Sequence, residues 1–165
     1  MMASLYFAPE KQQNMDLSQL HKSRDLAVSG KWKELENIFN RSLQLKHVNA
    51  RVDLTRPETP EAIMDEVLDS HKGGIGSDAV NGGVIAAMAD LALGLLGLHH
   101  YKDGMTATAQ ITIHYLKPFR TKSIRARAST QQVVGNRIFG NVELFNDKDE
   151  VCAIANGALA KGISM

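Results

Sequence analysis

Cysteine, surplus charge and long uninterrupted apolar stretches are all scarce in this chain of 165 residues. One cysteine cannot close an internal disulfide, which suits a reducing compartment. That residue, Cys152, lies in the apolar run Val151-Cys152-Ala153-Ile154-Ala155, with no neighbouring cation to stabilise a thiolate, and reads as a buried structural thiol. The formal net charge is only +1, and acidic and basic residues are scattered along the whole length. No basic patch or stripe of the kind a nucleic acid requires is present, so no nucleic-acid partner is expected. Met1 to Lys11 lacks a basic segment leading into an apolar one, so no signal peptide is expected. The longest apolar segment, Val84 to Leu98, is short for a bilayer span and carries Asp90 within it. We therefore expect a buried helix there, no membrane span, and a cytoplasmic protein. Internal repeats and low-complexity tracts are also missing.

What remains is enough for one domain with a short appendage. A hydrophobic share of 44% against 22% charged residues allows a single buried core. Residues 1–14 are polar without clear period and read as a tail. From Asp16, Leu17, Leu20 and Leu26 suggest a short amphipathic helix, stopped at Ser29-Gly30, where glycine tolerates a left-handed conformation. Trp32, Leu35, Ile38, Phe39 and Leu43 recur at helical steps and predict a second helix. These helices could cap a sheet or dock a partner. We assign 1–46 to the tail and helices and 47–165 to the main domain.

From Val48 the period changes to two. Val48, Ala50, Val52 and Leu54 alternate with polar residues as in a half-buried strand. Arg56-Pro57-Glu58-Thr59-Pro60 breaks regular structure, and Ala62 to Leu68 fits either a helical turn or a strand. Ala107, Ala109, Ile111, Ile113 and Tyr115 alternate with polar residues and predict a strand that Pro118 ends. Further strands are expected around Ile124, Ala126 and Ala128, from Ile138 to Leu144, and over Val151 to Leu159, with turns at Gly135-Asn136 and Asn146 to Asp149. Short turns between consecutive strands imply an antiparallel meander, here wrapped round one long helix. The fold class is α+β.

That helix holds the most informative residues. Asn81 is a good N-cap. Val84, Ile85, Met88, Leu91, Leu95 and Leu98 cover most of the circumference, so the helix is expected to be buried on nearly all sides. Asp90 interrupts it, with Gly83, Ala86, Ala87, Gly94 and Gly97 as its neighbours by helical spacing. A buried carboxylate without function costs several kcal/mol unless a donor meets it. It is therefore either paired with a buried arginine or backbone donor, or held in its small-residue groove as a base or nucleophile. Asn81-Gly82-Gly83 also places bare N–H groups at the positive end of the helix, able to hold a carbonyl oxygen that gains charge. Asp90 lies about 12 Å further along by rise per residue.

The run Gly76-Ser77-Asp78-Ala79-Val80-Asn81-Gly82-Gly83-Val84-Ile85-Ala86-Ala87-Met88-Ala89-Asp90 resembles the signature of the phenylacetic-acid-degradation-type hot-dog thioesterases. In that family a His-Gly-Gly opens the central helix and an acidic residue follows along it. Thr106 to Leu116 with Lys117-Pro118 is similar to the family's strand ending in a basic-proline corner, and Gly135-Asn136-Arg137 to its Gly-Arg turn. The resemblance spans roughly residues 48–162 and implies a hot-dog fold. It also implies hydrolysis of an acyl-CoA or related thioester. The Gly82 or Gly83 amide would polarise the carbonyl, and Asp90 would act as general base or nucleophile. No metal or redox cofactor is implied. A homodimer or homotetramer is, with sites at subunit interfaces, so that Asp90 and the glycine amides serve one site from different chains.

The sequence departs from the family pattern at three places. Asn81 replaces the histidine; it can cap the helix and donate to a carbonyl but cannot titrate. Gly94 stands where many relatives carry Ser or Thr, and Ile75 where they carry an amide residue. His71, beside Gly73-Gly74, is close enough in sequence to compensate. Among the cations that could meet CoA phosphates (Arg125, Arg127, Arg120 and Lys122 included), Lys117 and Arg137 are preferred from the turns they occupy. Tyr115 and Phe119 either shape an acyl pocket or pack. Other readings of the same chain are a non-catalytic hot-dog module binding an acyl ligand or partner, and an acyl-thioester hydratase or dehydratase. The latter chemistry generally needs the histidine that Asn81 has replaced.

Overall fold

In the computed structural model, residues 17–73, 76–102 and 106–162 are described. The tail before residue 17 and the positions of Gly74 and Ile75 fall outside them. Three helices come first: α1 (Leu17–Val28), α2 (Trp32–Phe39) and α3 (Leu43–His47). The single helix expected after Gly30 is thus two. Ser42 has extended backbone angles and its hydroxyl accepts from Leu45 N, so a new helix is capped where the old one would have continued. Gly30 ends α1 with φ +68°, as its sequence position suggested.

Six strands form one antiparallel sheet: β1 (Arg51–Asp53), β2 (Glu61–Met64), β3 (Thr106–Tyr115), β4 (Ile124–Val134), β5 (Arg137–Phe145) and β6 (Val151–Lys161). Their spatial order is β1-β2-β4-β5-β6-β3. β1 is shorter than its alternation implied, because α3 runs to His47 and Asn49 takes a left-handed turn (φ 51°) into the strand. The ambiguous segment after Pro60 is a strand at its start, paired with both β1 and β4.

The 19-residue α4 (Gly82–His100) lies against β2 to β6. By length and composition it could cross a bilayer, at a mean hydropathy of 1.6. Here it is the core helix instead. Ile85, Met88, Ala89, Ala92, Leu93 and Leu96 are buried with Ile124, Ala126, Ala128, Ile138, Val142, Leu144 and Leu159 from the strands. Two strand glycines, Gly140 and Gly157, let the helix come close. A Cβ on Gly157 would lie 2.3 Å from Leu93 Cδ2, and one on Gly140 2.6 Å from Leu96 Cδ1.

β3 departs from its expected facing. The register slips between Thr108 and Gln110, a bulge that exchanges inward and outward positions. Before it Thr106 and Thr108 are half-buried, after it Ile111 and Ile113, while Ala107 and Ala109 are exposed. The two-residue period was correct, but its phase changes midway.

The N-terminal helices cap the sheet. Leu26, Ala27, Leu35 and Leu45 form a second apolar cluster with Val52 and Leu54 near the β1 edge and with Leu95 of α4. Asn40, at the end of α2, acts on that edge like a neighbouring strand: its Nδ2 donates to Val52 O (3.0 Å) and its Oδ1 accepts from Val52 N (2.7 Å). Buried Glu36 accepts from Leu54 N at 3.0 Å. An exposed strand edge invites pairing with other chains, and these two side chains close it.

Two outcomes follow. Asn40→Ala should lower stability by about 2 kcal/mol, because Val52 N–H is left buried without a partner, and should raise aggregation in a thermal melt followed by light scattering. At the far end of α4, His100 contacts Thr130 Oγ1 through Nε2 at 2.6 Å, and burial, then the adjacent His99, lowers its pKa. The unfolded chain therefore binds this proton more readily. Stability should be intact above about pH 6.5 and fall as pH drops below it. Denaturant titrations of His100→Gln should show a flatter pH profile over that range than the parent.

Candidate functional site

The start of α4 is built by backbone bonds from two loops. A short 3-10 turn, Asp69–His71, precedes it. Asn81 N donates to His71 O at 2.8 Å, Gly73 N to Ala79 O at 2.9 Å, and Val80 N to Phe119 O at 2.9 Å. Gly73 packs flat on Asn81: a Cβ there would lie 3.0 Å from Asn81 Cα and 3.2 Å from Nδ2. From the other side Arg120 Nε donates to Asp78 Oδ1 at 2.7 Å and holds that carboxyl below the usual range.

Within this frame Asn81 caps the helix as its sequence position implied. Its Oδ1 accepts from Gly83 N at 2.7 Å, and its backbone oxygen accepts from Val84 N and Ile85 N. The two candidate amides are therefore not equivalent. Gly83 N–H is occupied by the cap, whereas Gly82 N–H has no acceptor among the described residues. Nδ2 of the exposed Asn81 likewise has no acceptor among the described residues, so two donors at the helix start are left without a partner among them.

Asp90 corrects an expectation. It is exposed in the single chain, not buried, and so are Gly83 and Ala87 on the same face. The sheet covers one side of α4 and the N-terminal helices a second, at Leu91, Leu95 and Leu98; the third side is bare. Glycine and alanine raise a helix's apolar content without telling which side is covered, which is why the sequence suggested burial all round. Asp90 forms no hydrogen bond or ion pair among the described residues, so the alternative of a carboxylate locked by an internal arginine is not what is observed. It is the only Asp, Glu, Lys or Arg in α4.

The other candidates divide. His71 is beside Asn81 and buried, and its Nδ1 accepts from Leu68 N at 3.1 Å. One ring nitrogen thus serves the local turn, and its backbone oxygen holds Asn81. Lys117 follows β3 at this same end, its N bonded to Cys152 O and its Nζ 3.8 Å from Glu150 Oε1. Arg137 is at the other end of the sheet, opposite Ala160 of β6. Cys152 and Ala160 are eight residues apart on one strand, about 26 Å, so one chain does not bring Lys117 and Arg137 together. Arg127 is bonded to Glu61 and Arg125 to Asp149, both stacked over Phe145. Phe119 is core, at 1% exposure. Tyr115 does not merely pack: its hydroxyl donates to Gly82 O at 3.0 Å, a contact the strand pattern gave no means of locating. Among the described residues no three His, Cys, Asp or Glu side chains converge so as to hold a metal ion.

Residues 78–153 match the family model described as thioesterase superfamily, a span that begins just before α4 and ends in β6. Among solved structures, a thioesterase from Haemophilus influenzae is 20% identical with a TM-score of 0.69, covering 79% of this chain and 90% of that one. The PaaI protein from the phenylacetic acid degradation operon of E. coli is 15% identical with a TM-score of 0.68, covering 88% and 96%. A Streptococcus mutans protein bound to acetyl CoA is 18% identical with a TM-score of 0.60, covering 69% and 89%. At these identities the likenesses speak for the fold. No curated protein matches the sequence significantly. The sheet order and the central helix give the chain the hot-dog fold of these solved structures, and the span that matches the thioesterase superfamily model lies within it.

Proposed function

We propose that this protein hydrolyses acyl-CoA-type thioesters, with Asp90 as general base or nucleophile. The observation that carries the reading is the exposed carboxylate of Asp90 on a strip of glycine and alanine, unpaired among the described residues, on a helix whose first N–H has no acceptor among them. A thioester carbonyl placed at the helix start would accept from Gly82 N–H and Asn81 Nδ2. Such donors act most strongly on the tetrahedral oxyanion, whose charge they meet at the positive end of the helix. Asp90 would then take the proton of an attacking water, or attack the carbonyl carbon and leave an acyl-enzyme anhydride for water to cleave. Either route ends in a free acid and a thiol.

One chain does not complete this arrangement, since the two groups are about 12 Å apart along the helix. The bare side of α4 runs beside β3, which is paired with β6 alone and presents an open edge among the described residues. We infer that a second copy covers this side and that Asp90 of one chain faces the helix start of the other. The acetyl-CoA-bound relative supports a CoA thioester as the substrate class. The asparagine at the helix start favours hydrolysis over hydration, which needs a second titrating group.

The test is thiol release over a panel of acyl-CoAs. Asp90→Asn should keep the fold and lose turnover by about 10³-fold or more, within the range for a removed base or nucleophile; a variant as active as its parent would sink the reading. Light scattering should give at least twice the mass of the chain. A fully active monomer would remove the composite site.

A further inference from the structure

We propose that Tyr115 is a positioning residue for this reaction, acting through the Gly82–Gly83 peptide. The inference rests on the hydrolase reading above and goes beyond it. Gly82 O and Gly83 N belong to one planar unit. The Tyr115 hydroxyl donates to the oxygen at 3.0 Å, and Asn81 Oδ1 accepts from the nitrogen at 2.7 Å. The unit is thus held at both ends. Two successive glycines resist rotation of the peptide between them less than other residues do, and at the first turn of α4 the clamp adds to the hold of the helix itself.

What the clamp fixes is the second of the two donors, Asn81 Nδ2. The preceding peptide, which carries Gly82 N–H, is held by the helix, because Asn81 O accepts from Val84 N and Ile85 N. Asn81 Nδ2 has no such anchor of its own among the described residues. Its direction follows from Oδ1, and Oδ1 follows Gly83 N–H, whose plane Tyr115 holds. The phenol ring also occupies the space beside Gly82, where a Cβ would lie 3.4 Å from the hydroxyl and 3.5 Å from Cζ. Tyr115 is 54% exposed, so its hydroxyl could be satisfied by water and is not driven to Gly82 by burial. The tie also joins the end of β3 to the helix start, two elements the sheet alone does not connect at this point.

Tyr115→Phe removes only the hydroxyl. With far-UV dichroism unchanged, kcat for acyl-CoA hydrolysis should fall about tenfold with KM within about twofold, less than the 10²–10³ lost with a whole oxyanion donor. In an Asn81→Ala background the same change should cost almost nothing more, because both substitutions act on one carboxamide. A raised KM with kcat kept would make Tyr115 a substrate contact and overturn the proposal, as would losses that simply multiply. Independently of turnover, the Gly83 amide resonance should move in Tyr115→Phe. An active parent whose Gly83 amide does not move overturns the clamp alone. A parent that releases no thiol sinks the hydrolase reading, and this proposal with it.

Discussion

The close approach of α4 to the sheet governs everything else in the molecule. Leu93 and Leu96 enter over Gly157 and Gly140, and Gly97 meets Thr106, where an added Cβ would fall 1.8 Å from Oγ1. Those three contacts fix the rotation of the helix about its axis. At 100° per residue, Ala92 lies almost opposite Asp90, and Ala92 is fully buried. Burying the leucines therefore turns the carboxylate outward. The same rotation sets the Asp90 strip between the N-terminal helices, packed at Leu91, Leu95 and Leu98, and the free side of β3. A bare strip beside an open strand edge is a surface with both backbone and side-chain reasons to be covered.

Much of this was legible in the sequence. The alternation at Ile124, Ala126 and Ala128 is a local signal, and all three are buried. The N-cap at Asn81 and the glycine stop at Gly30 are equally local, and both hold. What could not be read depends on residues remote in sequence. The bulge at Ala109 fits β3 to β6 and leaves no mark in the hydrophobic pattern, since alanine is tolerated on either face. Asn40 bonding to Val52 and Glu36 to Leu54 join α2 to a strand more than ten residues on, and nothing in a helical period announces a side chain that serves as a strand partner. The outward turn of Asp90 is of the same kind. A count of apolar residues round a helix says how much surface wants cover, but not which side the sheet takes.

The candidate site shows the same division. Asp90, Asn81, Gly82 and Gly83 were singled out as candidates by type and spacing, yet the spacing made the two glycine amides equal. The folded chain distinguishes them, because the cap consumes one and leaves the other. His71 was singled out for its nearness in sequence; in the folded chain its Nδ1 holds the turn at Leu68 and its backbone oxygen holds Asn81. Lys117 and Arg137 resembled family turns individually. Only the strand register reveals that β6 separates them.

The asparagine that opens α4 bears most directly on the chemistry proposed. A histidine at a helix start can exchange a proton with the substrate or a water, which gives such a site two titrating groups. Asparagine gives it one. In return its carboxamide is tied by Oδ1 to Gly83 N–H, and that bond orients Nδ2 without any dependence on pH. The proposed reaction therefore divides cleanly: fixed, non-titrating donors meet the oxyanion, and every proton movement falls to Asp90. A hydratase, which must both remove and deliver protons at neighbouring carbons, would need a second titrating group beside Asp90. Hydrolysis needs only one, since the water that attacks carries the proton that the departing thiolate takes up.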